Sequence, residues 1–187
     1  MERSIGEMRI LRISFQFGAF VMLFVLMACS STIFSSVWKD ETYQGHPEKI
    51  LVINAFPNPA TRRLFEDEFV KALKERGVDA VVSYAFMPDR SVFDKDAIAE
   101  YVKVAGADTV LITKPIGTTK DEIVGAGGVT YKDVYVNTQT DAFDMKSNKV
   151  VMKISAETWI RPEAPYLKQI QSYVNDLVKQ LSKRGFI

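Results

Sequence analysis

The sequence is poor in the side chains that most often carry covalent or metal chemistry. It has one cysteine, Cys29, and one histidine, His46, among 187 residues. A single cysteine excludes an internal disulfide, and one residue of each type excludes a zinc site built from cysteine and histidine. Ser-His or Cys-His catalysis needs a positioned histidine, whereas His46 stands beside Pro47 in a polar turn, which predicts a solvated loop residue. We therefore predict that the protein is not an enzyme and holds no metal and no cofactor.

An excess of either charge is also lacking. Lysine and arginine number 24 against 23 aspartate and glutamate, and 47% of the residues are apolar. Proteins that bind nucleic acids need a basic surface to neutralise phosphates, and the sequence has no cluster of basic residues. The composition is that of a globular chain long enough to bury one core. We expect one folded domain and no nucleic-acid partner.

The amino-terminal residues have the pattern of an export signal. Arg3, Arg9 and Arg12 precede a mostly apolar segment, residues 13–28. As a helix this segment would span about 24 Å, which is less than the ~30 Å hydrocarbon core of a bilayer. A basic segment followed by a short apolar one therefore predicts a signal peptide over residues 1–28, and a stable membrane span is the weaker interpretation.

The apolar segment ends in Leu26-Met27-Ala28-Cys29, which resembles the lipobox of bacterial lipoproteins. The resemblance implies that the Cys29 thiol is diacylated, that the chain is cut before it, and that the new amino group is acylated. The alternative is a small buried cysteine at the end of an uncleaved anchor. By resemblance to sorting in Gram-negative bacteria, Ser30 implies transfer to the outer membrane, with the domain facing the periplasm.

Residues 29–46 are polar and rich in turn-forming residues, apart from Ile33-Phe34 and Val37-Trp38. This composition predicts a lipidated amino terminus and a tether that becomes an edge strand. The folded domain then covers residues 47–187.

The folded part begins with alternating strand and helix patterns. Predicted strands cover residues 49–56, 78–84 and 108–114, each of them a mostly apolar run. Predicted helices lie between them, and the first begins with Asn58 as its N-cap and Pro59 at its first position. This order predicts a βαβαβ core with a parallel sheet.

The pattern changes after the third strand. Residues 130–143 and 149–159 alternate apolar and polar side chains, which predicts an antiparallel hairpin with one solvated face. A last helix follows Pro165, and its apolar stripe from Leu167 to Leu181 predicts core packing. The predicted fold class is α/β, a single sheet with a parallel βαβαβ core, an added antiparallel hairpin and a C-terminal covering helix.

A longer pattern resembles a family of small, uncharacterised lipoproteins of bacterial envelopes. It comprises the helical segment Arg62-Arg63-Leu64-Phe65-Glu66-Asp67, the segment Trp38-Lys39-Asp40, residues 106–113 and Trp159. More remotely, the order of elements is similar to periplasmic lipoprotein domains that bind proteins, such as the activators of peptidoglycan synthases and the curli secretion lipoprotein. The resemblance implies a fold and an envelope location, and it implies no catalytic residues.

The first group of candidate contact residues lies at predicted strand ends. Asn58, Arg62 and Arg63 follow the first strand and Lys114 ends the third, where open α/β sheets bind ligands. An anionic group could bind there, beside the first turn of a helix. The simpler interpretation is that Asn58 is a cap and that both arginines form surface ion pairs with residues 66–68 on a solvated helix face.

The second group is aromatic. Tyr135 and Trp159 lie on the outward parity of the predicted hairpin, together with Tyr131 and Phe143. Exposed aromatic side chains on a sheet face are typical of contacts with proteins or glycans. The alternative is that the C-terminal helix covers this face.

These observations predict a lipid-anchored envelope lipoprotein whose non-catalytic α/β module binds a periplasmic protein or an envelope glycan. The alternative is a small-molecule binder or an enzyme that uses the loop after the first strand, with Asn58 and Arg62. That alternative requires a deep pocket with convergent polar groups at the strand ends.

Overall fold

The computed structural model of the protein describes residues 31–87, 95–124, 127–128 and 130–187. The predicted signal peptide and the predicted acylation of Cys29 lie outside the described residues.

In the described part of the chain, six strands form a single sheet that is accompanied by three helices. The prediction of a mixed α/β fold with one sheet and a C-terminal helix is confirmed. The elements in chain order are β1 (Thr32–Lys39), β2 (Lys49–Asn54), α1 (Pro59–Lys74), β3 (Asp79–Val82), α2 (Lys95–Ala105), β4 (Thr109–Val124), β5 (Thr130–Asp144), β6 (Lys149–Ile160) and α3 (Tyr166–Lys183).

The strand order across the sheet is β1-β6-β5-β4-β2-β3. β2 pairs in parallel with both β3 and β4. β4, β5, β6 and β1 are joined by antiparallel pairs. β2 therefore lies inside the sheet, which agrees with its continuous apolar run and with the complete burial of Ile50, Leu51, Val52 and Ile53.

Helices α1 and α3 pack on one face of the sheet and α2 packs on the other. The larger core cluster joins Phe69 of α1 and Leu177 of α3 to inward side chains of the strands, among them Met152 and Ile154 of β6. The smaller cluster joins Val102 of α2 to side chains of β2, β4 and the end of β5. Within the described residues, β6 and β1 contribute no side chain to this second cluster.

The face on the α2 side is therefore uncovered over most of β5, β6 and β1 in the described part of the chain. We call this surface the open face. The alternative prediction, that the C-terminal helix covers it, is wrong, because Tyr173 of α3 hydrogen-bonds Thr138 from the opposite side (Oη to Oγ1, 2.8 Å). By strand parity and register, the open face includes Ile33, Trp38, Lys114, Tyr135, Gln139, Asp141, Lys153, Ser155, Glu157 and Trp159.

β4 is much longer than predicted, because it continues from Lys114 to Val124. The register with β5 shifts between Pro115 and Gly117. This irregularity lets the strand continue through a proline and a glycine, which are residue types that normally end a strand. We call residues 116–124 of β4 and 130–136 of β5 the arm. Because Ile160 at the end of β6 pairs with Val134, the last four residue pairs of the arm project about 14 Å beyond the neighbouring strand.

β1 occupies much of the segment that was predicted as a tether. It pairs with β6 from Thr32, so only two residues separate Cys29 from the sheet. Phe34 and Val37 face the larger core cluster, and the register shift between Phe34 and Ser36 places an extra residue between them. That shift breaks the period-two alternation, which explains why the sequence pattern does not show the full strand.

The packing of α3 gives a testable prediction. Leu177 is fully buried in the larger core cluster. Leu177→Ala should lower the free energy of unfolding by about 2–5 kcal/mol, because truncation leaves a cavity. Urea denaturation followed by circular dichroism measures this loss. Val104→Ala, at a position in α2 that is 68% exposed, is the matched control and should change stability by less than about 0.5 kcal/mol. Equal losses in the two variants would contradict the packing of α3 described here.

Candidate functional site

The loop after β2 and the first turns of α1 are joined by a buried carboxylate. Glu66 is fully buried and accepts hydrogen bonds from the backbone N–H groups of Asn54 (2.9 Å), Ser83 (2.7 Å) and Tyr84 (3.1 Å). It also accepts from Arg62 Nε (3.1 Å) and from Ser83 Oγ (2.7 Å). One side chain thus joins the end of β2, the start of α1 and the short 3-10 turn, Ser83–Ala85, that follows β3.

The predicted solvated ion pairs are therefore wrong for Arg62 and Glu66. Arg62 is 4% exposed, and its Nη2 also donates to Ser83 Oγ (2.9 Å). Charged groups are tolerated in a protein interior when they are paired and hydrogen-bonded, and this pair satisfies both conditions. Arg62 is a structural residue whose donors are directed at internal partners.

Two further residues of the first group, Asn58 and Arg63, also have structural roles. Asn58 Oδ1 accepts a hydrogen bond from Thr61 N (3.0 Å), so the predicted N-cap is confirmed. The Arg63 guanidinium lies 5.6 Å from the centre of the Tyr84 ring. The Tyr84 hydroxyl donates to Asp67, and this hydrogen bond is the main reason that the pKa of Tyr84 is raised to about 12.

A cavity of about 200 Å³ lies next to this network, between α1, α3 and the strands β5 and β6. Its lining is mostly aromatic and aliphatic, with Phe56, Phe65 and Ile170, and the hydroxyls of Thr138 and Tyr173 bond each other. None of the predicted contact residues lines it. This cavity therefore does not supply the polar pocket at Asn58 and Arg62 that the alternative function requires.

The other three predicted contact residues share the open face. Tyr135 and Trp159 stand directly opposite each other on β5 and β6. Trp159 Nε1 donates to Asp133 Oδ1 (3.1 Å), and the Arg161 guanidinium lies 5.9 Å from the indole ring. Lys114 is 45% exposed and its Nζ lies 3.5 Å from Asp141 Oδ2. Residues from three strands thus form one surface of aromatic and polar side chains.

Trp38 belongs to the same surface and was not predicted as a contact residue. It is 46% exposed and pairs with Lys153 across β1 and β6. Both tryptophans of the chain therefore lie on the open face. The apolar pair Val37-Trp38 was a signal for this placement, but the register shift in β1 conceals which of the two points inward.

The environment of Tyr135 favours the neutral form of its phenol, which predominates at physiological pH even at the ordinary tyrosine pKa of about 10. Partial desolvation raises the pKa of Tyr135, and the neighbouring carboxylates of Asp133, Asp121 and Glu157 raise it further. A phenol with a raised pKa stays neutral at physiological pH and can donate a hydrogen bond. The open face thus has, beside Trp159 near the end of β6, an aromatic side chain that can donate a hydrogen bond.

The described residues lack two other kinds of site. No helix there is both long and apolar enough to cross a bilayer. No group of three or more His, Cys, Asp or Glu side chains there is placed to hold a metal ion.

Comparison with known proteins shows the fold alone. No model of a known sequence family matches the chain, and no curated protein matches it by sequence. The PelC dodecamer from Paraburkholderia phytofirmans matches with a TM-score of 0.53 and 13% identity over 80% of this chain and 96% of that chain. The lipoprotein GNA1162 from Neisseria meningitidis matches with a TM-score of 0.48 and 15% identity over 73% of this chain and 99% of that chain.

The Glu66 network gives the next prediction. Glu66→Gln should lower the free energy of unfolding by about 3–5 kcal/mol, because it removes the charge that compensates buried Arg62. The amide also cannot accept all the hydrogen bonds that the carboxylate accepts. Thermal and urea unfolding measure the loss. Glu68→Gln, in the same helix and partly exposed, is the control and should stay within about 0.5 kcal/mol of the parent. A Glu66→Gln variant as stable as this control would show that the network does not hold the fold.

Proposed function

We propose that the protein is a lipoprotein of the bacterial cell envelope, held by acyl chains on Cys29 at the outer membrane and facing the periplasm. The support is the basic and apolar signal of residues 1–28, followed by the only cysteine of the chain at the lipobox position. Each buried CH₂ contributes about 0.8 kcal/mol to membrane affinity, so two or three acyl chains would anchor the protein firmly where one would not.

We further propose that the anchored domain is a non-catalytic binding module whose open face contacts a periplasmic protein or an envelope glycan. The observation that carries this proposal is the pair Tyr135–Trp159 on a sheet face that no described helix covers, with Trp38 on the same surface. Aromatic side chains supply much of the binding energy at interfaces because they bury a large apolar area and keep a polar group for hydrogen bonding.

The polar residues around these aromatics suit a wet, selective contact. Lys153 is exposed, and Gln139 Nε2 donates to both oxygens of Asp141 (2.7 and 2.9 Å). These polar groups lie on the side of the Tyr135–Trp159 pair that leads to Trp38, where they can fix the orientation of a partner by hydrogen bonding. The alternative function, a small-molecule site at Asn58 and Arg62, has less support because both side chains are bonded to internal partners.

The anchor gives a direct prediction. Cys29→Ser should abolish acylation, because the hydroxyl replaces the thiol that carries the lipid, and it should leave the domain folded. Metabolic labelling with palmitate followed by cell fractionation measures the first effect, and circular dichroism measures the second. Ser30→Ala, one residue away, is the matched control and should keep its label. Equal label in the parent and in Cys29→Ser would refute the proposed lipidation.

The open face gives a second prediction. A photo-crosslinking amino acid is placed at Lys153 in the full chain. In cells it should form a defined adduct if the partner is a protein, and with purified cell-wall sacculi it should retain the domain on them if the partner is a glycan. Tyr135→Ala combined with Trp159→Ala should lower the yield about tenfold or more, because loss of an aromatic hot spot costs ~2 kcal/mol. Protein adducts and sacculus binding distinguish the two kinds of partner.

The control for this experiment is the same crosslinker at Val104, which is exposed on α2 and is not one of the open-face residues. Circular dichroism of the double variant checks that its sheet is intact. Equal adducts from both positions, or a yield that the double variant leaves unchanged, would contradict binding through the open face.

A further inference from the structure

The exposed apolar side chains of the described residues concentrate at one end of the sheet. We call it the apical end: β1 begins there at Thr32, β2 ends there at Asn54, and the arm projects from it. Among the described residues, nine large apolar side chains are strongly exposed, and Trp38 and Val104 are the two of them that lie elsewhere. The remaining seven are Ile33, Ile116, Ile123, Val124, Tyr131, Tyr166 and Leu167.

These residues come from four separate elements. Ile33 is on β1, Ile123 and Tyr131 pair with each other across the arm, and Tyr166 begins α3. The Tyr166 hydroxyl donates to Thr61 Oγ1 (3.1 Å), which places the start of α3 beside the start of α1 at the apical end. Single exposed apolar side chains are ordinary, whereas a cluster from several elements at one end of a domain indicates a contact surface.

β1 also begins at this end, three positions after Cys29 in the sequence. Cys29 is three positions before Thr32, so its Cα lies at most about 11 Å from that of Thr32. Register aligns Thr32 with Thr158, Thr158 with Val136, and Val136 with Thr118. From Thr118 the strand β4 continues for six residues to Val124, which is about 20 Å. The arm thus reaches farther beyond the sheet than the tether does.

We infer that the apical end rests on the lipid bilayer, with Ile123, Val124 and Tyr131 of the arm in the headgroup region and Leu167 at the membrane surface. The inference rests on the acyl anchor proposed above and adds an orientation to it. Because the arm extends farther than the segment between Cys29 and β1 can reach, an acylated Cys29 at the bilayer surface brings the end of the arm into contact with the lipid. The strands then stand upright on the membrane, and the open face is presented sideways to the periplasm.

The chemistry of the arm fits a contact with lipid that does not require anionic headgroups. Tyrosine combines an apolar ring with a hydroxyl and is enriched where bilayer and water meet. The arm has no basic excess: Lys120 and Lys132 stand among Asp121, Glu122 and Asp133, and Lys132 pairs with Glu122 (3.1 Å). Contact should therefore depend on apolar burial and not on anionic headgroups, so zwitterionic vesicles suffice as a probe.

The test uses the full acylated chain reconstituted in phosphatidylcholine vesicles that contain nitroxide-labelled phosphatidylcholine. A bimane fluorophore is attached through Val124→Cys in one sample and through Lys149→Cys, at the opposite end of β6, in the other. Lipid quenching should be about twofold or more stronger at position 124, because an interfacial side chain lies ~5–10 Å within the headgroup boundary. Adding phosphatidylglycerol should leave this ratio unchanged.

The matched variants are made in the Val124→Cys background. Ile123→Ser with Tyr131→Ser should lower the quenching at position 124 to that at position 149, whereas Val104→Ser should leave it unchanged. Both sets change only exposed side chains, so the fold should persist. A variant that keeps strong quenching without the two arm residues would overturn the assignment of the contact to the arm.

Other outcomes separate this inference from the proposed function. An intact mass without acyl chains would overturn both. Acylated protein with equal quenching at positions 124 and 149 would overturn this inference alone. Protection of position 124 that grows with protein density, with excimer emission from pyrene attached there, would show a second copy of the chain at the apical end and would also overturn it.

Discussion

The carboxylate of Glu66 is the interaction on which the arrangement of this fold depends. It is fully buried, and it joins the end of β2, the start of α1 and the turn after β3 through five hydrogen bonds. A charge in this place is tolerated because Arg62, one turn earlier in the helix, balances it. The consequence is functional. The position where open α/β sheets usually receive ligands is occupied by internal bonds, so the candidate surfaces lie elsewhere.

Local patterns predicted the elements whose cause is local. The apolar run of β2, the Asn58 cap and the turn between β5 and β6 each depend on residues that are neighbours in sequence. The burial of Glu66 was missed because Asp67 and Glu68 beside it indicate a solvated face. Only the spacing of Arg62 and Glu66, one helical turn apart, hinted at a pair, and the spacing alone does not show on which side of the helix the core lies.

The residues of the open face were predicted only in part, for the same reason. Strand parity alone placed Tyr135 and Trp159 on the same face of the predicted hairpin, since side chains two residues apart on a strand share a face. Their neighbourhood depends on long-range register, which brings Lys114 from β4 and Trp38 from β1 to the same surface. The face of the sheet that α3 covers depends on the path of the chain after β6, and no local sequence pattern indicates that path. Irregular registers at Ser36 and Pro115 concealed β1 and the second half of β4.

A short tether constrains the partner as well as the domain. β1 has eight residues and spans about 26 Å, begins three positions after Cys29 in the sequence, and forms the edge of the open face. With the anchor at the apical end, Trp38 near the far end of β1 would lie within about 30 Å of the bilayer surface. A partner on the open face would then be met beside the membrane and not deep in the periplasm. Acylation would thereby raise the effective concentration of the domain for partners that are themselves held at the membrane.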